Sequence, residues 1–373
     1  MDKVSIVKCI TYNEELVYNA VKKSFDLIGG INKYIKKGMN VGIKPNLLMA
    51  KSPDKHATTH PYIVGAIGRL INECGANPIL VESPGGPYFV SYIKATYKAC
   101  GMTEICKKSN IKLNFDLSVE AKVIKTERNT RKISLLKPLV ECDVIINACK
   151  MKTHAMMIFT GAIKNMFGAI AGTEKTVYHI NSANYDKFAN DLIDIYNAIK
   201  PTLNVMDGII GMEGDGPSSG DPKKIGVILT SENGFALDSL AHDIVNINKE
   251  QSYIMKNAKL RGIDISYEVV GEKIDDVKID DFKVPFQNPH QNTFFDKIFN
   301  NSKSKPVVIK DMCVGCQICK NNCPAKCITM VNNKPEFDYT QCIRCFCCQE
   351  LCPESAIIVK KPLIIKFLSG GKK

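Results

Sequence analysis

Apolar and polar positions alternate over residues 4–9, a period-two pattern that predicts a strand, and the period then changes. Leu16, Val17, Ala20, Val21, Ser24 and Ile28 recur at helical spacing. Asn13 is placed to cap that helix and Gly29-Gly30 to end it. Residues 39–43 predict a second strand, broken by Lys44-Pro45-Asn46. A helix opening at His60-Pro61 carries Ile63, Val64, Ile67, Leu70 and Ile71 and stops near Gly75. Residues 78–81 read as a buried strand, followed by the loop Glu82-Ser83-Pro84-Gly85-Gly86-Pro87. Beyond it the pattern predicts a helix over 91–100 and short strands over 121–125 and 132–135. Residues 143–148 are almost continuously apolar, as central parallel strands are. Helices follow over 160–167 and 185–199, then a strand over 203–206. The glycine-rich run 207–222 reads as a loop, since so many glycines weaken any helix or strand interior. A strand over 225–229 and a helix over 236–247 complete the series. This alternation predicts an α/β fold: an open, mostly parallel sheet with flanking helices. Residues 273–289 are polar and irregular, a candidate strand pair, and 290–304 read as an amphipathic helix or linker.

The C-terminal part follows a different rule. It reads Cys313-x-x-Cys316-x-x-Cys319-x-x-x-Cys323-Pro324, and the same spacing returns at Cys342, Cys345, Cys348 and Cys352-Pro353. That is the spacing of bacterial two-cluster ferredoxins, in which the fourth cysteine of each run ligates the other cluster. The pattern predicts two [4Fe-4S] clusters. One is held by Cys313, Cys316, Cys319 and Cys352, the other by Cys342, Cys345, Cys348 and Cys323. A disulfide framework or a pair of zinc sites are the competing readings. The first needs a secreted chain, and the second needs no such order of cysteines. Over residues 304–361 the chain resembles bacterial-type ferredoxins, which implies a small α+β two-cluster domain. Cys327 and Cys347 fall outside the ligand pattern and read as small buried hydrophobes. The expected organisation is an α/β domain over 1–290, a linker or helix over 291–303, the ferredoxin domain over 304–361 and a flexible tail over 362–373.

Composition narrows the class. With 373 residues and 45% hydrophobic content the chain can bury more than one core. Six of the sixteen cysteines lie outside 313–352, scattered in apolar runs. They read as reduced thiols of a cytoplasmic protein. The first residues enter a strand without the apolar run of a signal peptide, and no stretch of about 18 apolar residues predicts a membrane span. The net charge of +12 admits a nucleic-acid partner. However, the lysines are spread along the chain without aromatic interleaving, which argues against one. Lys310, Lys320, Lys326 and Arg344 surround the ligand cysteines, and predict docking of an acidic redox partner such as a small ferredoxin or flavodoxin.

Three predicted strand ends carry candidate chemistry, and in open parallel sheets such ends form the working edge. The first is Lys44-Pro45-Asn46. The second is Cys149-Lys150-Met151-Lys152-Thr153-His154, followed by a helix opening at Thr160-Gly161 and carrying Lys164. Cations beside a helix N-terminus suit an anion, so Lys44, Lys152, Thr160 and Gly161 form the candidate anion site. The third end, with Asp207, Glu213 and Asp215, suits a divalent metal or a general base. Lys164, His154, Asp207 and Glu213 are the catalytic candidates, with Lys164 and Asp207 expected to face one another across a cleft. Each has a plainer reading: solvated lysines, a structural histidine, a cap, a long turn. No Walker A run and no G-x-G-x-x-G is present, which excludes the common nucleotide-binding loops.

Lys150-Met151-Lys152-Thr153-His154 and residues 160–168, with Lys44-Pro45-Asn46-Leu47-Leu48 and residues 207–214, resemble the signature blocks of the domain-of-unknown-function family 362. The resemblance spans about residues 4–250. It implies an α/β fold associated with ferredoxin units and assigns no catalytic residue. No motif supports, residue by residue, a more distant likeness to the large domain of nickel-dependent lactate racemases. The expected function is electron transfer through two clusters to a reductive reaction or a partner at the anion pocket. The alternatives are a carrier with a non-catalytic docking domain, and a scaffold for cofactor or cluster assembly.

Overall fold

The computed structural model describes residues 1–126, 130–172, 174–181, 184–285 and 304–360. Strand β1 (Asp2–Lys8) leads into helix α1 (Glu14–Asp26), whose Asn13 cap accepts the Leu16 N–H at 3.1 Å. Next come β2 (Asn40–Pro45), α2 (Pro61–Glu73), β3 (Asn77–Leu80), α3 (Val90–Ala99), α4 (Met102–Lys108) and β4 (Lys112–Leu113). His60 caps α2 through its imidazole, and Pro61 occupies the first turn, where no N–H is needed. A hairpin, β5 (Val119–Lys125) and β6 (Thr130–Leu136), pairs only with itself and leads to α5 (Lys137–Val140).

The centre of the fold is β7 (Val144–His154), buried at every position, with β8 (Ile158–Thr160) folding back on its end. After α6 (Ala162–Asn165), α7 (Glu174–Asn181) and α8 (Tyr185–Ile199) come β9 (Leu203–Glu213), β10 (Asp221–Ser231), α9 (Gly234–Ile244), α10 (Tyr253–Leu260) and β11 (Tyr267–Gly271). The sheet order is β11-β1-β10-β9-β7-β2-β3-β4. Pairing is parallel except at β1–β10, β10–β9 and β7–β8. The architecture is thus α/β, with a mostly parallel central sheet between two helix layers.

Period-two alternation divides the sheet between its two faces. Val144, Ile146 and Ala148 of β7, with Leu203, Val205 and Ile209 of β9, join the core under α1–α4. Ile145, Cys149 and Met151 of β7 and Met206 of β9 pack on the other face, under α6 and α8–α10.

Three expectations about these elements are corrected. Lys150–His154 continue β7 rather than forming a loop after it, because β9 and β8 supply ladder partners on both sides. The glycine-rich run to Glu213 is strand interior. Gly208 and Gly211 are needed there because Val227, Ile225 and Met151 press against their Cα atoms. Lys44 and Pro45 belong to β2 and do not break it. Helices α4 and α10 and strands β4 and β11 carry no strong periodic signal and are revealed only by the fold. Residues 274–276 form a single 3₁₀ turn and no strand occurs among described residues 272–285; the predicted linker helix lies outside the described residues.

The C-terminal unit contains β12 (Lys305–Val308), α11 (Ile318–Asn321), β13 (Ile328–Val331), β14 (Lys334–Phe337), α12 (Cys347–Glu350) and β15 (Ile357–Lys360). β12 pairs with β15 and β13 with β14, both antiparallel. The repeat in sequence is a repeat in conformation. Gln317 and Phe346, both left-handed, precede α11 and α12. No helix among the described residues is long and apolar enough to cross a membrane.

Candidate functional site

The two cysteine runs interleave in space. Cys313, Cys316, Cys319 and Cys352 line one cavity of about 360 Å³. Cys323, Cys342, Cys345 and Cys348 line a second of about 310 Å³, together with Cys327, whose sulfur lies 3.5 Å from that of Cys323. Each cavity draws three cysteines from one run and the fourth from the other. Cys347, buried as expected of a small apolar side chain, points elsewhere and lines a third cavity.

That third cavity, about 770 Å³ including its open mouth, lies where α12 docks on the α/β domain. The docking is polar and local. Gln349 donates to the Asp215 carbonyl at 2.9 Å, and Ser218 donates to the Gln349 carbonyl at 3.3 Å. Lys51 reaches across to Ser355 Oγ at 3.0 Å while holding the Ser218 carbonyl at 2.7 Å. Gly85 leaves room for Leu351, which a Cβ there would meet at 2.7 Å. His154, fully buried at the end of β7, accepts the Met156 and Met157 N–H groups at Nδ1, so its proton sits on Nε2. Nε2 lies 2.7 Å from Glu350 Oε1, off the line of a well-formed hydrogen bond. His154 and Lys164 pull Glu350 down to about 2 against its burial. His154 therefore positions a carboxylate of the chamber and does not line the chamber itself.

The opposite wall is cationic. Lys44 alternates with Ile43 of the α1–α4 core and so projects from the other face. It pairs with Glu82 at 2.8–2.9 Å, both groups fully desolvated, and burial lowers the lysine. Gly168 makes this pair possible, since a Cβ there would lie 2.5 Å from the Lys44 ammonium. Lys175 donates to the Ser83 carbonyl, to Ser83 Oγ and to the Pro84 carbonyl, and burial lowers it to about 7. Lys164 projects into the chamber, and burial lowers it too. His179 packs against Phe167 and Phe188 and is lowered by burial to about 4, so it is neutral at pH 7.

Of the candidate anion site only Lys44 is at the chamber, where the catalytic candidate Lys164 also stands. Lys152 stands one residue behind it, donating to Asn46 Oδ1 at 2.8 Å and to the Ala57 carbonyl at 2.5 Å. Thr160 and Gly161 are elsewhere. Thr160 Oγ1 ties down the Lys150 and Lys152 carbonyls at 3.2 Å. The four-residue α6 has its first N–H groups already taken: Asp238 accepts from Ala162 at 2.7 Å and Ile163 at 3.1 Å. A Cβ at Gly161 would lie 2.1 Å from that carboxylate, so the glycine serves an internal cap and not a ligand.

The acidic candidates are also reassigned. Asp207 shares a face with Val205 and Ile209, opposite the side that holds Lys164, so the expected facing pair does not form. Asp207 is fully buried, 2.8 Å from the Lys150 ammonium and 2.7 Å from the Tyr12 hydroxyl, and accepts the His60 N–H. Lys150 holds it below the usual carboxylate range. Glu213 accepts the Lys283 N–H at 2.9 Å, a tether for the following segment. Among the described residues no three His, Cys, Asp or Glu side chains converge on a point that could hold a single metal ion, so Asp207, Glu213 and Asp215 do not form the expected divalent site. Glu82, Lys175, His179 and Glu350 were not singled out by sequence reasoning. Glu82 follows a predicted strand and was within reach of it. Glu350 lies between Cys348 and Cys352, where the cysteine spacing masks it.

Fold and site together define an α/β protein whose cysteine-lined C-terminal unit closes a charged chamber at the edge of the sheet. The family model described as Domain of unknown function (DUF362) matches residues 41–243, more than half of the chain, and the chain belongs to that family. It is 28% identical over 254 residues to the thylakoid-associated protein sll1697 of Synechocystis sp., across 66% of this chain and 75% of that protein. The solved lactate racemase apoprotein from Thermoanaerobacterium thermosaccharolyticum is similar at a TM-score of 0.38 and 12% identity, across 63% of this chain and 54% of that one.

Proposed function

We propose that this chain is an electron-transfer protein that holds two [4Fe-4S] clusters and delivers electrons to a small anionic ligand in the chamber. One cluster belongs on Cys313, Cys316, Cys319 and Cys352, the other on Cys342, Cys345, Cys348 and Cys323. The observation that carries the reading is the double role of α12: Cys348 lines a cysteine cavity while Cys347 and Glu350 line the chamber. The donor set fits the group. One cavity offers four thiols and the other offers four with Cys327 beside them, soft sets suited to iron–sulfur ligation. In a cubane each thiolate takes a different iron, so the sulfurs stand apart around a cavity and do not converge on one ion. When bound, the clusters would supply one-electron transfer at the chamber's edge.

The chain's own residues do the rest. Gln349, Ser218 and Lys51 keep α12 seated. The Lys44–Glu82 pair keeps the chamber floor polar and fully paired. Lys164 and Lys175 supply positive charge from the α/β side. Anaerobic purification should yield about eight iron and eight sulfide per chain, with broad visible absorption that bleaches on reduction. Cys316→Ala should lose about half of this iron, whereas Cys347→Ala and Cys327→Ala should retain it all. Stoichiometric zinc without sulfide would overturn the proposal.

A further inference from the structure

Three polar groups are left open at the chamber. Lys164 Nζ has no hydrogen-bond or ion-pair partner among the described residues, unlike Lys44 and Lys175, whose donors are taken. His179 Nδ1 is buried without a partner. Glu350 keeps acceptor capacity, because its one close neighbour, His154 Nε2, is out of line. Lys164 is half-buried, and a partly desolvated ammonium with no partner costs stability. The fold keeps one here, beside a cavity large enough for a ligand, which is the signature of a group reserved for something that binds.

The two charged groups also restrict what that ligand can be. Lys164 and Glu350 both line the chamber, and no ion pair joins them among the described residues. The space between them is bounded by a cation on one side and a carboxylate on the other. A simple anion satisfies Lys164 and is repelled by Glu350, and a simple cation meets the reverse. Only a molecule with both an anionic group and a hydrogen-bond donor satisfies both walls at once.

We propose that the chamber binds a small oxyanion that also carries a hydrogen-bond donor, its anionic group on Lys164 and its hydroxyl or ammonium on Glu350. Hydroxy- and amino-carboxylates are the smallest members of this class. His179 Nδ1 lies on the same wall and takes a further polar contact. Because Lys164 and Glu350 belong to different parts of the chain, the ligand is held across the docking interface. The proposal takes from the electron-transfer reading only that the chamber is the working site.

The test is isothermal titration calorimetry on the anaerobic, iron-replete full chain with glycolate, serine and acetate, alongside iron analysis and thermal denaturation of the same samples. Glycolate or serine should bind roughly ten- to a hundredfold more tightly than acetate, the worth of one charge-assisted hydrogen bond. Lys164→Gln should weaken every probe by a similar factor while leaving the melting temperature unchanged or raised, since it removes an unpaired, half-buried cation. Glu350→Gln, which keeps the shape of α12, should erase most of the preference over acetate. Equal binding of acetate and glycolate, or no binding of any probe by a sample with full iron, would overturn the proposal. Probe binding by a chain that carries stoichiometric zinc and no sulfide would keep it and overturn the electron-transfer reading instead.

Discussion

Lys175 shows how one half-buried side chain sets the pH behaviour of a site. Burial lowers it to about 7, with Lys44 and Lys164 adding to the effect and Glu82 opposing it. In the unfolded chain it titrates near the ordinary lysine value, so the fold holds fewer protons than the unfolded chain between the two values. A bound oxyanion favours the protonated ammonium and draws its pKa back up. Affinity for an anion should therefore be greatest below about 7 and fall as pH rises through it, with net proton uptake on binding near that pH. His179, near 4, stays neutral across this window and does not contribute. Calorimetry in buffers of different ionisation enthalpy measures the uptake. Lys175→Met should abolish it, and an affinity independent of pH from 6 to 9 would rule out the role.

At the scale of elements, the α6 start illustrates how a helix terminus can look like a ligand site and be spent internally. Short length and a glycine before the helix invite an anion, but α9 brings Asp238 to the same N–H groups. Burial pushes Asp238 up to about 7 even though those two donors pull it down. Gly161→Ala forces a methyl group into the carboxylate and should cost roughly 1–3 kcal/mol, by losing buried hydrogen bonds and adding strain. Urea denaturation of the full chain measures this. A stability within about 0.5 kcal/mol of the parent would show that the cap contributes nothing. The docking of α12 follows the opposite logic. Four residues are too few to be a stable helix alone, so it is held by its neighbours, through Gln349 and the fit of Leu351 against Gly85.

For the whole molecule, charge is distributed unevenly between interior and surface. Several lysines are spent inside, on Glu82, Asp207 and backbone carbonyls. The chain has a net charge of +12, and Lys310, Lys320 and Lys326 are exposed on the cysteine-rich unit. An acidic electron donor should therefore be steered to this unit, and its rate of reducing the protein should fall as salt rises. Stopped-flow reduction by a flavodoxin across about 0.05 to 0.5 M ionic strength reads this directly, and a flat rate would remove electrostatic steering from the account.

Much of the secondary structure was legible because period two and period 3.6 are local properties. Asn13, His60-Pro61 and the span of α8 read correctly from neighbours a few residues away. The doubled cysteine order was legible for the same reason, while the gathering of three cysteines from one run and one from the other around each cavity needed the fold. The ends of β7 and β9 were not, because a strand extends as far as its ladder partners do, and those partners lie elsewhere in the chain. Nor was the side chosen by each charged residue. Lys164 and Asp207 are separated by the sheet itself, and one register shift, between Lys150 and Lys152, suffices to re-aim the side chains beyond it. By itself the sequence determined the α/β alternation, the doubled cysteine spacing and the supply of lysines near strand ends. Only the tertiary structure decided that α12 closes the chamber, that Glu350 and His179 join Lys164 there, and that Asp207 and Gly161 do not. Long-range packing selects which polar groups are paired and which are left open, and no local pattern encodes that choice.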